Sequence, residues 1–149
     1  MESGTVKKIA EHENVWGIKC SHDPAYVREL HDFFEGDDNF HVISAQVDLM
    51  DVFYRYGIKR HLDGIFCLFP EWIGELKECI DRDDWRSAAS IQKRITPCRN
   101  KYIELGDSSA FTYCMNRLGY EGDFTPDYSD LDPKTEKSAE KLLTKYDFV

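Results

Sequence analysis

The sequence predicts an α/β fold with parallel strands, on three observations. Short apolar segments occur near residues 15–19, 40–44 and 63–68, and a helical pattern follows each of them. Strands that alternate with helices are joined by right-handed crossovers and therefore lie parallel. The three segments are also apolar along most of their length, as strands covered on both faces are.

The helices are predicted from apolar residues spaced three and four apart and from the residues that flank each pattern. They are expected at residues 3–12, 24–35, 47–56, from Pro70 onward, 85–105, 108–118 and from Pro133 onward. Pro97 should kink or break the helix 85–105, because proline removes a hydrogen bond and clashes with the preceding turn. Residues 120–131 are rich in Asp, Gly and Pro and predict a loop.

Composition limits the classes of function. The chain has 149 residues, enough for one domain with a core, and a net charge of -9. An acidic surface argues against nucleic acid and anionic membranes as partners. No run of 18 apolar residues and no signal-peptide core are present, so we expect a cytoplasmic protein without a membrane span.

The cysteines support the same compartment. Five cysteines are present, an odd number, widely spaced and without a C-x-x-C pair. This pattern indicates reduced thiols in a cytoplasm rather than a disulfide framework. Cys20 and His22 form a C-x-H pair, but a structural zinc site takes four ligands. We therefore expect no metal site.

Lys19 is the residue around which the function is argued. It follows the apolar segment that begins at Val15 and ends at Ile18. Lysine is rarely buried without a partner, and a desolvated amine can attack a carbonyl carbon near neutral pH. The alternative is a strand end whose lysine extends into water. Both interpretations fit the segment taken alone.

The ends of the predicted strands carry further polar residues. In parallel β/α folds, the chemistry lies at the carboxyl ends of the strands. These ends are predicted at Lys19-Cys20-Ser21, Ser44-Ala45-Gln46 and Cys67-Leu68-Phe69. An amine, a hydroxyl, an amide and two thiols brought together there would suit a carbonyl substrate.

The segment Val15-Trp16-Gly17-Ile18-Lys19-Cys20-Ser21 resembles the sixth barrel strand of the dihydrodipicolinate synthase and N-acetylneuraminate lyase family. Residues 40–44 resemble its seventh strand and residues 63–66 its eighth. In that family the lysine of the Gly-Ile-Lys strand forms a Schiff base with pyruvate or another 2-oxo acid. The resemblance therefore implies that Lys19 is catalytic.

The same resemblance implies the residues that bind substrate: Ser44, Ala45 and Phe66. Ser44 either donates to the substrate carboxylate or only ends its strand. Ala45 stands where a glycine is usual. No metal or organic cofactor is implied, and the expected partners are a pyruvate-like 2-oxo acid and further copies of the chain.

The implied architecture is a partial TIM (β/α)8 barrel. Residues 1–95 would form its last three β/α units, and residues 96–149 a C-terminal helical extension. The two edges left by three parallel strands would drive self-association, or else the chain is the C-terminal part of a longer gene product, which we favour.

Departures from the family leave alternatives open. Members are about twice as long as this chain, by comparison with a typical barrel of roughly 250 residues. The family's Thr-Thr pair on strand two and the tyrosine of its Tyr-Asn-x-Pro motif have no counterpart. The sequence thus predicts a class I aldolase or lyase, or a catalytically incompetent fragment or assembly-only subunit. A thiol-dependent protein is a third, weaker hypothesis.

Overall fold

A computed structural model of the protein describes residues 1–106, 108–120 and 131–149. Within them the chain forms two compact units, Met1–Gly64 and Ile65–Val149. Each unit has its own secondary structure and core, and each is described by itself.

The first unit alternates helices with strands, as predicted. Its elements are α1 (Ser3–Ile9), β1 (Gly17–Cys20), α2 (Pro24–Phe33), β2 (His41–Ser44), a 3-10 turn (Val47–Leu49) and α3 (Met50–Tyr56). Helix α2 begins where Asp23 accepts a hydrogen bond from the Ala25 amide at 2.8 Å, which satisfies one of the free amides of the first turn. Helix α3 ends at Gly57, whose φ of 115° favours glycine.

Strands β1 and β2 form a two-stranded parallel sheet, which confirms the predicted strand direction. The register pairs Gly17 with His41, Lys19 with Ile43, and Cys20 with Ser44. Because side chains alternate along a strand, Cys20 and Ser44 point to one face of the sheet and Lys19 and Ile43 to the other.

The predicted third strand at residues 63–68 is wrong. Gly64–Leu68 forms a 3-10 helix, and only an isolated parallel bridge between Ser44 and His61 continues the sheet. The physical reason is the spacing of the buried side chains. Ile65 and Leu68 are both buried and lie three residues apart, which matches one face of a 3-10 helix and not one face of a strand.

The core of the first unit lies on the face of the sheet that carries Cys20 and Val42. Val27 and Leu30 of α2 and Phe53 of α3 are fully buried in the same cluster. Burial of side chains of this size stabilises the fold by roughly 1.5–3 kcal/mol each. The helices therefore cover one face of the sheet.

The second unit is helical. It begins at Ile65, within the 3-10 helix Gly64–Leu68, and continues with α4 (Pro70–Asp81), α5 (Trp85–Ile103), α6 (Ser108–Arg117) and α7 (Pro133–Lys145). Helix α5 continues through Pro97, so the proline does not break the helix, and the predicted kink stays a prediction. Helix α7 begins at Asp132, whose carboxylate accepts hydrogen bonds from the amides of Lys134 at 2.8 Å and Thr135 at 3.1 Å.

Helices α6 and α7 are linked by a polar network. Glu140 accepts hydrogen bonds from Arg117 at 2.8 and 3.0 Å and from the Tyr113 hydroxyl at 2.9 Å. These hydrogen bonds lower the pKa of Glu140 to about 2. Near the C-terminus, the ring of Phe148 packs against Trp72 at 5.1 Å.

The predicted division of the chain after residue 95 falls within α5, and the assignment of residues 1–95 and 96–149 stays a prediction. The predicted loop at 120–131 lies almost wholly outside the described residues.

Candidate functional site at the carboxyl end of β1

Lys19 occupies the third of the four positions in β1, next to the carboxyl end of the strand. It is exposed, whereas Cys20 is 5% exposed. This contrast follows from the alternation of side chains, because Cys20 points toward the helices and Lys19 points away from them. The Lys19 side chain is therefore exposed because the helices cover the opposite face of β1.

The face that carries Lys19 also carries Gly17, His41 and Ile43, which are partly buried. Within the described residues Lys19 makes no ion pair or side-chain hydrogen bond. Parallel sheets are normally covered on both faces. In the first unit the helices cover only the opposite face, and we call the Gly17, Lys19, His41 and Ile43 side the open face.

Ser44 is fully buried at the end of β2. Its backbone amide donates to the Arg60 carbonyl at 2.9 Å, and its carbonyl accepts from the Leu62 amide at 2.9 Å. Its Oγ has no hydrogen-bond partner among the described residues. The backbone bonds fit the end of a strand, and the unpartnered hydroxyl fits a binding role, so both interpretations of Ser44 persist.

Ala45 continues the sheet beyond Ser44. Its amide donates to the Cys20 carbonyl at 2.9 Å, which fixes the chain directly after both strands. The structure thus brings Lys19, Ser44 and Ala45 to one end of the two-stranded sheet, although the side chains of Lys19 and Ser44 point to opposite faces. Phe66 is half-buried in the second unit and stays a prediction.

The sequence interpretation missed His61 at this end of the sheet. Its Nε2 lies 2.9 Å from the Ile58 carbonyl, and its ring stacks on Tyr54 at 4.7 Å between centroids. Its Nδ1 is buried without a partner among the described residues. Burial lowers the pKa of His61, which favours the neutral ring.

Gln46 supplies the amide predicted at this strand end, and its Oε1 is also buried and unpartnered within the described chain. Paired residues of adjacent strands point to the same face of a sheet. Ser44 and His61 therefore share a face, and Gln46 lies two residues after Ser44. Residues 64–69 are more apolar, and an apolar run predicts a strand there rather than at His61. The sequence therefore does not indicate that His61 lies beside the end of β2.

The described part of the chain contains no group of three or more His, Cys, Asp or Glu side chains placed to hold a metal ion. None of the helices described is both long enough and apolar enough to span a membrane. All five cysteines are free thiols, and Cys98 and Cys114 are fully buried.

Solved structures share this fold. Dihydrodipicolinate synthase from Aquifex aeolicus matches with a TM-score of 0.79 and 20% identity, over 99% of this chain and 50% of that chain. The Thermotoga maritima synthase matches with a TM-score of 0.79 and 16% identity, over 99% of this chain and 51% of that chain. N-acetylneuraminate lyase from Fusobacterium nucleatum, solved with pyruvate, matches with a TM-score of 0.80 and 12% identity, over 98% of this chain and 49% of that chain.

These matches confirm, at the level of the fold, the resemblance predicted from the sequence. The chain spans about half the length of the solved chains that it matches. No protein-family model and no curated protein matches the sequence.

Proposed function

We propose that this chain is the lysine-bearing half of a barrel of the dihydrodipicolinate synthase and N-acetylneuraminate lyase family. In this proposal it comprises the last three β/α units and the C-terminal helical extension, and it acts in the cytoplasm. Lys19 forms a Schiff base with pyruvate or a related 2-oxo acid. The reaction class is a class I aldol or lyase step.

The observation that carries the proposal is the position of Lys19. It lies beside the carboxyl end of a parallel strand, on the face opposite the helices. In barrels, the interior side and the carboxyl ends of the strands are where chemistry is placed. A barrel would enclose the open face, and Lys19 would then project into its interior.

The chemistry needs only one amine. The neutral amine attacks the ketone carbon of the 2-oxo acid, and water leaves as the iminium forms. The iminium then accepts the electron pair of the carbon–carbon bond that breaks, or stabilises the carbanion that forms a new bond. No metal or organic cofactor enters this sequence of steps.

The exposure of Lys19 sets a condition on that chemistry. An amine becomes a good nucleophile near neutral pH when it is desolvated. Lys19 is exposed in the chain as described. The proposed reaction therefore needs the open face to be covered before Lys19 can act efficiently.

Two of the other predicted residues fit a supporting role. The Oγ of Ser44 is buried and unpartnered, which leaves it able to donate to a carboxylate if the strand ends adjust. Ala45 lies where the chain leaves β2, held by its 2.9 Å bond to Cys20, and would line the same end. Phe66 is retained as a substrate-binding residue on the family resemblance alone.

The alternative is a catalytically incompetent fragment or an assembly-only subunit. The absence of the family's tyrosine and Thr-Thr pair favours it. Proton transfer by a positioned group typically gives about 10²–10⁴-fold in rate, so turnover would suffer even if the imine formed. Imine formation and turnover therefore have to be measured separately.

The test is reductive trapping. The chain is incubated with pyruvate and borohydride, and the modified residue is located by mass spectrometry of peptides. We expect one adduct, on Lys19, lost in Lys19→Ala. Lys59→Ala is the matched control, because Lys59 is an exposed lysine of the same unit outside the strands.

Labelling of Lys59 and other surface lysines to the same extent as Lys19 would remove the proposal. A folded chain without any adduct would favour the incompetent alternative. An adduct on Lys19 without aldol or lyase turnover would support the Schiff base and assign the missing rate to the absent proton-transfer groups.

A further inference from the structure

A groove of about 300 Å³ lies in the second unit, between the end of α5 and the last two turns of α7. Leu105 lines it where the chain leaves α5, and Tyr146 lines it where the chain leaves α7. The described residues of the groove all belong to Ile65–Val149. The function proposed above therefore uses none of them.

The charged side chains of the groove are mostly lysines. Lys101, Lys141 and Lys145 line it, and Glu104 is its one carboxylate among the described residues. The chain as a whole carries a net charge of -9, so the groove is opposite in sign to the rest of the molecule. A local excess of positive charge attracts anions.

Glu104 neutralises only one of the three lysines. Its carboxylate accepts a hydrogen bond from Lys101 Nζ at 2.6 Å. Lys141 makes no ion pair or side-chain hydrogen bond within the described part of the chain. The Lys145 ammonium lies 5.2 Å from the centre of the Tyr146 ring, and this contact leaves its charge in place. An anion in the groove would thus meet Lys141 and Lys145.

The spacing of these two lysines on α7 is unfavourable without an anion. Residues four apart are neighbours on a helix surface, and like charges at that spacing destabilise the helix. The helix dipole favours Lys145, which lies in the last turn, but it does not account for Lys141, one turn earlier. An anion held by both ammonium groups would remove their repulsion.

The remaining lining of the groove is largely apolar and aromatic. Leu142 is buried, and Leu105 and Tyr146 are half-buried. A ligand that fills the groove would therefore carry a small apolar group beside its charge. The volume of about 300 Å³ is at the lower end of the range for small-molecule sites, which limits the ligand to a small molecule.

The type of cation in the groove indicates the type of anion. Arginine suits carboxylates through its planar fork, and no arginine lines the groove among the described residues. Lysine acts as a point charge and is a common ligand of phosphate. A phosphate monoester carries a charge of about -1.5 to -2 at neutral pH, which matches the two ammonium groups of Lys141 and Lys145.

We propose that this groove binds a small organic phosphate, a phosphate monoester whose apolar group is about as large as one aromatic ring. Its phosphoryl oxygens accept hydrogen bonds from Lys141 and Lys145, and its apolar group packs against Leu105 and Tyr146. The site goes beyond the proposed function, since neither Lys19 nor a 2-oxo acid takes part in it. Because the groove exists only when the second unit is folded, the ligand stabilises that unit.

Calorimetric titration of the full chain with phenyl phosphate tests the proposal, with inorganic phosphate and benzoate as comparison probes. Inorganic phosphate lacks the apolar group, and benzoate carries one negative charge on a planar carboxylate. We expect phenyl phosphate to bind at least about tenfold more tightly than either comparison probe. Its affinity should also fall as salt is added, because salt screens exposed charges.

Lys141→Gln is the test variant, and Lys137→Gln is its matched control. Each removes one positive charge from an exposed lysine of α7, but Lys137 does not line the groove. We expect Lys141→Gln to bind phenyl phosphate at least about fivefold more weakly, and Lys137→Gln to bind it as tightly as the parent chain. Circular dichroism of both variants checks that the helices are kept.

Amide chemical shifts of the parent chain supply a readout that does not depend on any variant. Phenyl phosphate should shift the amides of residues 101–105 and 138–146. The amides of β1 and β2 should stay in place. If Lys141→Gln does not fold, these shifts decide the question.

Three results would overturn the inference. The first is equal weakening by Lys137→Gln and Lys141→Gln, which would show attraction to the charge of α7 in general. The second is equal affinity for phenyl phosphate and either comparison probe. The third is the absence of amide shifts at the groove when phenyl phosphate is added. Trapping of pyruvate on Lys19 does not bear on any of them, so this proposal and the proposed function fail separately.

Discussion

Ser44 and His61 pair at the edge of β2 as an isolated parallel bridge, and each has a buried side-chain atom without a partner among the described residues. The hydroxyl of Ser44 and the Nδ1 of His61 lie on the same face of adjacent strand positions. Buried polar atoms of this kind cost roughly 1–3 kcal/mol when unsatisfied. The end of β2 therefore carries two buried polar atoms that lower the stability of the first unit, and one of them belongs to a group that titrates.

The stability of the first unit should depend on pH through His61. Burial lowers its folded-state pKa below the ordinary value of 6.5. At a pH between the folded-state and unfolded-state pKa of His61, the unfolded chain binds more protons than the folded chain. The contribution of His61 to stability is therefore fully present above pH 6.5 and falls as the pH is lowered through that value toward the folded-state pKa. Denaturant unfolding at pH 7.5 and pH 5 should show the loss.

His61→Gln is the matched variant, because an amide can still donate to the Ile58 carbonyl but does not titrate. The loss of stability between pH 7.5 and pH 5 is compared in the parent and the variant. Subtracting one loss from the other removes the contributions of the other histidines, which both chains share. If both chains lost the same stability on acidification, His61 would not be the group responsible.

Gly17→Ala should destabilise the first unit by about 1–3 kcal/mol, the usual cost of overpacking. A Cβ at Gly17 would clash with the His41 carbonyl oxygen, so β1 and β2 would have to move apart. Gly4→Ala is the control in the same unit. Gly4 lies in α1 with nothing within 4 Å of an added Cβ, and alanine there should stabilise by up to about 1 kcal/mol.

Urea unfolding of the two variants, followed by amide hydrogen exchange in β1 and β2, would check this pair. A Gly17→Ala chain as stable as the parent would contradict the close approach of the strands at His41.

Cys98 and Cys114 should resist alkylation until the second unit unfolds. Burial raises the pKa of Cys98 to about 12 and that of Cys114 to about 11. Both thiols are therefore protonated at neutral pH, and the thiolate is the reactive form. Cys67 is half-buried and should be modified first.

Peptide mapping after a timed exposure to iodoacetamide, with and without denaturant, measures the order of modification. Fast labelling of Cys98 or Cys114 in the folded chain would show a low-pKa thiol and would revive the thiol-dependent hypothesis.

Much of the first unit could be predicted from the sequence because its signals are local. The β1 and β2 segments, and a helix that begins at Pro24 behind the Asp23 cap, follow from apolar spacing and capping chemistry that neighbouring residues decide. Parallel pairing followed from the alternation of strands with helices. The position of Lys19 next to the end of a strand followed from the same local pattern.

The prediction of a third strand was wrong because local sequence does not determine the conformation of that segment. Residues 64–68 are apolar enough for a strand, but they bury Ile65 and Leu68 on one side of a 3-10 helix. The bridge to β2 forms earlier, around His61, where the Ser44 amide donates to the Arg60 carbonyl and the Leu62 amide donates to the Ser44 carbonyl. A run of apolar residues does not determine which neighbouring segment will form hydrogen bonds with its backbone amides and carbonyls.

The sequence by itself determined that a lysine lies near the carboxyl end of a short apolar strand in an acidic α/β chain, because strand propensity and charge are properties of adjacent residues. Only the tertiary structure decided which face that lysine occupies and which backbone groups stay unpaired. Burial and pairing depend on what packs against a strand: helices cover the Cys20 face of β1, and the Lys19 face stays open.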